Sequence, residues 1–387
     1  MDAEGLVGKV LQRLLEKFDA GKRARINVGE KVFDAYRKNK PQGIAYAFNE
    51  LIGSYSDEIV IEWKVPNVAL NSIELLSPDR VAEHISYRFL SERVSEAMTS
   101  LDNDLKGNFV YKSLRPKLLE KWEKDRPFHR IKVDEYHSLL AYFKSAEQVL
   151  INYRNGIESD YRHFSARVLG DSKAFSSIKS GVANLLKELN PELEPLDTES
   201  MLQFYGLSPL SHPVFISGAL TLFSKDISLG AEFPPSVGVW SESVDKALLD
   251  DKVKVVTTIE NQATFNRYVK EERQEDEIVM FTSGVPSPSF LKLFKLIAQS
   301  KTNLDFRHWG DIDLGGFVIL NILDSAILSS VIGYRMSFID YLNKDSKSLF
   351  TSAEINRLNN LGLSEANKDL ISGLEEGSKK FEQEAFF

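Results

Sequence analysis

Apolar positions in the first 76 residues change their spacing in a way that predicts three helices and then two strands. The first set recurs at helical spacing from Leu6 to Phe18, and Gly21 follows as a stop signal. Two shorter helical stretches cover residues 30–37 and 44–52. Alternating or β-branched patterns over 58–65 and 72–76 then predict two strands. This order is typical of a winged helix, to which we assign residues 1–84.

The predicted third helix would be the recognition helix of such a domain. Its main polar side chains are Tyr46, Asn49 and Glu50, a set poor in groups that read bases. The pattern therefore favours protein contact or non-specific DNA contact over sequence reading.

Residues 85–154 and 155–223 have different patterns. The first segment is helical and charged, with few turn signals beyond Pro116 and Pro127, which predicts a helical arm or, alternatively, a plain bundle. The second segment is mixed and contains a strand-like run at 213–216.

The last part of the chain, residues 224–387, alternates between the two periodicities. β-branched runs at 254–259 and 277–282 have the character of buried strands, and a helical stretch with apolar residues between 290 and 297 follows. Another strand leads to Asp311. This alternation predicts an α/β domain with a mostly parallel sheet, preceded by the helical parts of the chain.

Three carboxylates follow the predicted strands. Glu260 ends the first, and Asp311 and Asp313 end the last, directly before Gly315 and Gly316. Side chains at the carboxyl ends of parallel strands meet at one edge of the sheet. Neighbouring carboxylates repel each other, and a hard divalent cation, Mg²⁺ or Mn²⁺, relieves that repulsion. The alternative is an Asp-rich turn that caps the next helix.

Other polar residues near these strands carry smaller predictions. His308 is interpreted as packed core or as support for the carboxylates rather than as a ligand. The backbone amides at 283–284 have two interpretations: they bind a phosphate, or they belong to a simple turn between a strand and a helix. Glu382 and Glu384 either reach the metal site or form a solvated tail, and the tail is favoured.

Several motifs together resemble a known family. A glutamate at one strand end and a later Asp-x-Asp is the pattern of the Toprim domain. The finer match is to the JetD family, the nuclease subunits of Wadjet plasmid-defence systems, and it is strongest from about residue 166 onward. It rests on TIEN at 258–261 with 264–265, SGVPS at 283–287, HWGDIDLGGF at 308–317, GDSK at 170–173 after Arg167, and FEQE at 381–384.

The resemblance implies a metal-dependent DNA endonuclease that hydrolyses phosphodiesters. Glu260, Asp311 and Asp313 would be the catalytic and metal-binding residues, with Glu260 either a ligand or a general acid or base. Residues 224–387 would be the Toprim domain, and 155–223 a catabolite-activator-like winged-helix segment, as in the related topoisomerase VI A subunit.

The resemblance also bears on the nucleophile and the partners. In the topoisomerase a tyrosine attacks DNA, and Tyr153 and Tyr161 lie in the equivalent segment here; JetD proteins lack that tyrosine, which favours water. A homodimer is implied, acting on circular plasmid DNA with an SMC-like ATPase, a kleisin and accessory subunits. A topoisomerase VI-like transesterase and a non-catalytic DNA-binding adaptor stay as alternatives.

Charge is distributed unevenly along the chain. The formal net charge is −8, yet residues 9–40 hold ten Lys or Arg against four Asp or Glu, and residues 106–132 hold nine against three. DNA binding depends on local potential, so basic stretches in an acidic chain still bind phosphate. The predicted DNA contacts are Lys117, Lys121, Lys124, Arg167 and Lys173. For each basic stretch a solvated helix face is the alternative.

Composition adds limits. A chain of 387 residues predicts two to three domains. No cysteine is present, which excludes disulfides and thiolate zinc sites. No signal-like start and no apolar run of roughly 20 residues is evident. We therefore expect a cytoplasmic protein without a membrane segment.

Overall fold

The structure, a computed structural model, describes residues 2–38, 43–232, 234–341, 344 and 346–386. Its α-helices are, in chain order, α1 (Ala3–Asp19), α2 (Asp34–Lys38), α3 (Ile44–Gly53), α4 (Pro78–Ile85), α5 (Leu90–Asp104), α6 (Phe109–Glu123), α7 (His137–Arg154), α8 (Tyr161–Leu169), α9 (Ala174–Leu189), α10 (Thr198–Phe204), α11 (Gln262–Glu271), α12 (Pro288–Ser300), α13 (Leu314–Ala326), α14 (Ser352–Asn359) and α15 (Lys368–Ile371). Its strands are β1 (Arg25–Asn27), β2 (Ile59–Val65), β3 (Ala69–Leu75), β4 (Ser159–Asp160), β5 (Leu207–Ser208), β6 (Val214–Ser217), β7 (Leu220–Ser224), β8 (Ile227–Gly230), β9 (Val237–Val239), β10 (Lys246–Leu249), β11 (Val255–Ile259), β12 (Glu277–Phe281), β13 (Asp305–Trp309) and β14 (Val331–Gly333).

Contacts group the chain into two units. One contains Met1–Asp104 and Pro116–Tyr136, and the other contains Leu105–Arg115 and His137–Phe387. Helix α6 contributes to both, because the division falls between Arg115 and Pro116. The four-part division by sequence stays a prediction.

The first unit is built on α1, whose apolar face is buried against α3 and α4. A sheet of order β1-β3-β2 packs beside these helices, and β2 and β3 are its antiparallel hairpin. The predicted three helices and two strands are confirmed, while β1 was missed because three residues are too few to show alternation. Pro41, before which the second predicted helix ends, lies outside the described residues.

The predicted recognition helix, α3, offers little to a base edge. Asn49 is buried, and its Nδ2 donates to the backbone oxygens of Asn67 and Val68 at 3.3 and 3.2 Å. Tyr46 is 67% exposed. The one amide of this helix that could read adenine thus holds the hairpin loop instead.

The second unit contains a six-stranded sheet of order β14-β13-β11-β12-β6-β9. The four strands from β14 to β12 are parallel, whereas β6 and β9 are antiparallel to their neighbours. Strand β6 precedes the predicted domain start at residue 224, yet it is hydrogen-bonded to β12. A mixed α/β architecture with a parallel core is confirmed.

Burial explains why these strands could be found from sequence. Every residue of β12 is buried, as expected for a parallel strand covered on both faces. Helices α11, α12 and α13 bury apolar residues in the connections between the strands. Side-chain caps begin all three, at Asn261, Ser287 and Asp313. A helix in each connection lets the next strand run parallel to the one before it, so the carboxyl ends of β11, β12 and β13 lie at the same edge of the sheet.

Between β3 and β6 in the sequence, the chain is largely helical. Helices α5, α6 and α7 cover much of the predicted arm, and α8, α9 and α10 follow. None of the helices in the described part of the chain combines the length and apolar character needed to cross a bilayer.

Candidate metal centre at the carboxyl ends of the parallel strands

The residues that follow the parallel strands β11 and β13 lie next to each other. In the register of the sheet Ile259, the last residue of β11, is paired with both Phe281 and Trp309. Glu260 continues this pairing, since its N–H donates to the Trp309 carbonyl at 3.1 Å. The predicted convergence of Glu260 and the Asp311 segment is therefore seen.

Glu260 and Asp311 face each other across this edge. The backbone N–H of Asp311 donates to Oε2 of Glu260 at 3.2 Å. Both residues are half-buried. Burial raises the pKa of Glu260, and the charges of Asp313, Glu382 and Glu384 raise it further. Burial also raises the pKa of Asp311, followed by the charge of Glu260. Two carboxyl groups that resist ionisation together are a place where a cation is stabilising.

Asp313 has a different position from the one the sequence predicted. Strand β13 ends at Trp309, so Asp311 and Asp313 lie in the connection after it and not, as the sequence predicted, at the end of the strand itself. Asp313 is the N-cap of α13, and its Oδ1 accepts from the N–H of Gly316 at 2.8 Å. The alternative interpretation, a helix cap, holds for Asp313, although its charge still acts on Glu260.

The C-terminal segment supplies two more carboxylates. Ile312 and Phe381 form an antiparallel bridge, with hydrogen bonds of 2.8 and 3.2 Å in the two directions. This bridge places one oxygen each of Asp311, Glu382 and Glu384 within 4.8 Å of one another. Glu382 and Glu384 are exposed, but they are held at the site. Their exposure agrees with the favoured interpretation, but the bridge holds them beside Asp311 and not in a detached tail.

These three oxygens suit a hard divalent cation. Mg²⁺ takes oxygen ligands at about 2.0–2.1 Å and usually keeps several waters. Oxygens on one such ion lie about 3–4 Å apart, so the spacing of this group needs only a small adjustment. Exposure of Glu382 and Glu384 leaves room for water and for a phosphate.

The two glycines after the Asp-x-Asp motif have unequal roles. A Cβ on Gly316 would lie 2.1 Å from the carbonyl oxygen of Asp311 and 2.9 Å from its nitrogen. A Cβ on Gly315 would come no closer than 3.3 Å, to a carboxylate oxygen of Asp313. Gly316 is therefore required for the turn that presents Asp311, whereas Gly315 is not under the same constraint.

His308 is packed core, as expected. It is fully buried, and its Nδ1 lies 2.9 Å from Oγ1 of Thr258. Burial lowers its pKa to about 3, so the ring is neutral near pH 7. A Cβ on Gly310 would fall 2.7 Å from its Nε2 and 3.1 Å from Oε2 of Glu260. His308 thus supports the strand end from inside.

One of the two backbone amides proposed for phosphate binding, that of Gly284, already has a partner. Ser283 and Gly284 have positive φ values of 59° and 74°, and the Gly284 N–H donates to the Glu260 carbonyl at 3.2 Å. At the start of the next helix the Ser289 N–H donates to Oε1 of Glu158 at 2.5 Å. The simple-turn interpretation fits this segment better.

Arg167 and Lys173 lie on either side of the α8–α9 turn and are exposed. One guanidinium nitrogen of Arg167 donates to Oδ1 of Asn152 at 3.2 Å. Gly170 makes the turn at φ 76°, and Asp171 accepts from the Lys173 N–H at 2.9 Å. Both cationic groups face solvent in the unit that contains the carboxylates.

The other predicted DNA contacts lie in the first unit, with Lys117 and Lys121 on α6 and Lys124 directly after its end. Lys117 and Lys124 are exposed, and Lys121 is half-buried. Lys124 pairs with Glu120 at 2.6 Å, one turn earlier on the helix. The basic stretch at 9–40 is partly neutralised, because several of its cations are paired within the unit, namely Arg13, Lys17, Arg23, Arg25 and Arg37.

Tyr153 and Tyr161 are placed as packing residues. Tyr153 stacks on Phe204, with ring centroids 5.6 Å apart, and burial raises its pKa. Tyr161 is 8% exposed and packs on Phe175, and burial raises its pKa as well. A phenol that resists ionisation is a poor nucleophile.

Sequence reasoning missed Gln383 and the second role of Asn261. Asn261 caps α11 through its Oδ1, while its Nδ2 donates to Oε1 of Glu384 at 2.6 Å. Gln383 lies buried between the strand ends. The only available signal was that both stand inside the motifs 258–261 and 381–384.

Comparison with known proteins gives two matches. Residues 237–386 match the model of the C-terminal region of the Wadjet protein JetD. A protein of Bacillus cereus (strain Q1) named Wadjet protein JetD is 23% identical over 371 residues, which cover 86% of this chain and 86% of that protein. The matched C-terminal region contains the carboxylates at the sheet edge, namely Glu260, Asp311, Asp313, Glu382 and Glu384.

Proposed function

We propose that this chain, which is similar to the Wadjet protein JetD, is a metal-dependent DNA endonuclease acting within a Wadjet defence system. The observation that carries the proposal is the carboxylate group at the sheet edge. Glu260 and Asp311 face each other there with raised pKa values, and Glu382 and Glu384 close the group from the C-terminus. In this proposal the six-stranded sheet and its helices are a Toprim domain.

Each carboxylate has a role in phosphodiester hydrolysis. Asp311, Glu382 and Glu384 would hold Mg²⁺ or Mn²⁺, which supplies charge neutralisation at the scissile phosphate and activates water. Asp313 orients the turn by capping α13 and adds negative charge. Glu260 either completes the ligand set or exchanges a proton with the attacking water or the leaving oxygen. Its raised pKa suits the second role.

Water is the proposed nucleophile. The two candidate tyrosines are held in aromatic packing, and burial opposes ionisation of both. We therefore expect Tyr153→Phe and Tyr161→Phe to retain cleavage, and product ends to be free of protein. A homodimer would place two such sites for a double-strand break, which light scattering of the purified chain tests.

Local charge favours delivery of DNA by a partner. The chain is net negative, and part of its N-terminal basic stretch is paired internally. Only a few phosphate contacts would then hold DNA, and their contribution falls steeply with salt. We expect weak, salt-sensitive binding by the isolated protein and little cleavage near physiological ionic strength. Other Wadjet subunits would raise the local DNA concentration.

The central test is incubation with circular plasmid and Mg²⁺ or Mn²⁺, with and without the other Wadjet subunits. Cleavage that requires metal and is enhanced by the subunits is expected. DNA that partitions to the phenol interphase until protease is added would favour the transesterase instead. DNA binding without cleavage under all of these conditions would favour the adaptor.

A charge-reversal experiment tests the DNA surface. Changing Lys117, Lys121 and Lys124 to Glu should weaken binding at low salt and lower the salt dependence. The matched control changes three exposed lysines of the other unit, Lys225, Lys246 and Lys252, to Glu. Equal loss in both triple variants would mean that net charge alone, not the α6 surface, governs binding.

A further inference from the structure

Gln383 is a buried polar residue of the C-terminal segment. Its side chain contacts the residues at the ends of both β11 and β13. It is 0% exposed. Its Oε1 accepts from the N–H of Asn261 at 2.9 Å, and its Nε2 donates to the carbonyl of Trp309. One amide group thus satisfies a donor after β11 and an acceptor at the end of β13.

The backbone of Gln383 makes a third contact. Its N–H donates to Oδ1 of Asp311 at 2.8 Å. The residue is therefore fixed at both its main chain and its side chain, and its neighbours Glu382 and Glu384 have little freedom to move away. Asn261 holds Glu384 from the other side at 2.6 Å.

The chemistry of these contacts selects an amide. Alanine would leave the half-buried N–H of Asn261 without this acceptor, which is costly, and would remove one of the two donors to the Trp309 carbonyl, which also accepts from the Glu260 N–H. An ionised glutamate would keep the acceptor for Asn261 but would set a negative charge against the Trp309 carbonyl. Only a side chain with a donor and an acceptor at this length meets both groups.

We propose that Gln383 is a positioning residue that fixes Glu382 and Glu384 beside Asp311, so that the C-terminal segment completes the cation site. The inference rests on the proposed function, because it concerns the same carboxylates. Groups that orient metal ligands through hydrogen bonds typically affect metal affinity by about 10–100-fold.

Aromatic anchors on both sides of Gln383 make its substitution interpretable. Phe381 stacks on Tyr341, with ring centroids 4.9 Å apart. Phe386 packs edge-on against Trp309 at 5.1 Å, and the Arg335 guanidinium lies 4.2 Å from its ring. These contacts do not involve the Gln383 amide, so the segment should stay docked, but less precisely, when that amide is removed.

The test measures Mn²⁺ binding to the full chain by the loss of the free-ion electron paramagnetic resonance signal. Gln383→Ala and Gln383→Glu should each bind Mn²⁺ about tenfold or more weakly than the unaltered chain. Gln262→Ala, at an exposed glutamine in the first turn of α11, is the matched control and should bind normally. Hydrogen exchange in metal-free buffer should show lost protection of the amides at 382–386 in both Gln383 variants.

The outcomes separate this inference from the proposed function. If Gln383→Ala binds Mn²⁺ as tightly as the unaltered chain, the positioning role is wrong while the metal site stands. If the unaltered chain binds Mn²⁺ no better than Asp311→Asn, the metal site itself is wrong and the inference falls with it. Unchanged amide protection in both variants would also overturn the positioning role.

Discussion

The sheet carries two acidic centres, one at each end of its parallel strands, and they differ in what neutralises them. At the amino end Glu277 is 1% exposed and forms an ion pair with Arg307 at 2.8 Å. The Tyr268 hydroxyl donates to its two oxygens at 3.0 and 3.1 Å, and Thr257 donates as well. At the carboxyl end the neighbours of Glu260 and Asp311 are further carboxylates.

The difference shows how to tell a structural carboxylate from a functional one. Burial of an unpaired charge is very costly, so a buried carboxylate in a stable fold has a cation or neutralises itself. Arg307 supplies the cation at the amino end, and Tyr334 covers its guanidinium at 3.9 Å. At the carboxyl end the charged groups that raise the pKa values of Glu260 and Asp311 are all carboxylates, which is the arrangement expected of a site that binds a metal.

The largest expected effect is on cleavage by variants of the carboxyl-end centre. Asp311→Asn and Glu260→Gln should each lower the cleavage rate by about a thousandfold or more, roughly 4 kcal/mol of transition-state stabilisation. Because they remove repulsion, their melting temperatures in metal-free buffer should equal or exceed that of the unaltered chain. Plasmid cleavage and thermal melting in EDTA check both statements; a loss of several degrees would mark these carboxylates as structural.

The opposite result is expected at the amino-end centre. Glu277→Gln leaves the Arg307 guanidinium without its charge partner and should lower the free energy of unfolding by about 3–5 kcal/mol. Denaturant unfolding measures this. Mn²⁺ affinity, measured where the variant is still folded, should be unchanged, and a large loss of affinity would show that the two centres are not independent.

Steric requirements at the carboxyl end give the next prediction. Gly316→Ala places a Cβ 2.1 Å from the Asp311 carbonyl and should cost about 1–3 kcal/mol, with a loss of Mn²⁺ affinity as the turn shifts. Gly315→Ala, whose nearest contact is 3.3 Å, is the matched control and should be close to neutral. Equal behaviour of the two variants in thermal melting would contradict the role assigned to Gly316.

Substitutions of the two aspartates in the Asp-x-Asp motif should have different effects on the free energy of unfolding. Asp313→Ala removes the cap of α13 and should cost about 1 kcal/mol in metal-free buffer, whereas Asp313→Asn keeps a capping oxygen and should cost less. Asp311→Asn, which keeps an acceptor for the Gln383 N–H, should cost nothing or stabilise. Chemical denaturation of the three variants in EDTA decides this, and identical stabilities would remove the distinction between cap and site.

The smallest predicted effect is a pH dependence of stability without metal. The pKa values of Glu260 and Asp311 are raised on folding, so the folded protein holds more protons than the unfolded chain above the ordinary carboxyl values of 4.5 and 3.8. The contribution of these two carboxyl groups to the free energy of unfolding therefore falls as the pH rises from these values towards the raised pKa values. Melting temperatures from pH 4 to 8 in EDTA should decline less steeply in Asp311→Asn, and parallel curves would contradict the shift.

The local pattern of the sequence determined the elements and half of the site. Helical spacing and buried runs predicted α1, α3 and the strands β11, β12 and β13, because periodicity is set by which face of each element is buried. Glycine, Asp and Asn after these runs predicted strand ends and caps. Since parallel strands bring their carboxyl ends to one edge, Glu260 and Asp311 could be placed together from sequence.

Tertiary structure alone decided how the site is closed and which carboxylates are neutralised. Gln383 lies 72 residues from the Asp311 carboxylate it contacts, and no periodicity near residue 383 signals that approach. The ion pair of Glu277 with Arg307 likewise spans 30 residues and depends on the order of the strands. Contacts between distant segments depend on topology and packing, which a local pattern of apolar residues does not encode. This is why Glu382 and Glu384 looked like a solvated tail until the fold placed them beside Asp311.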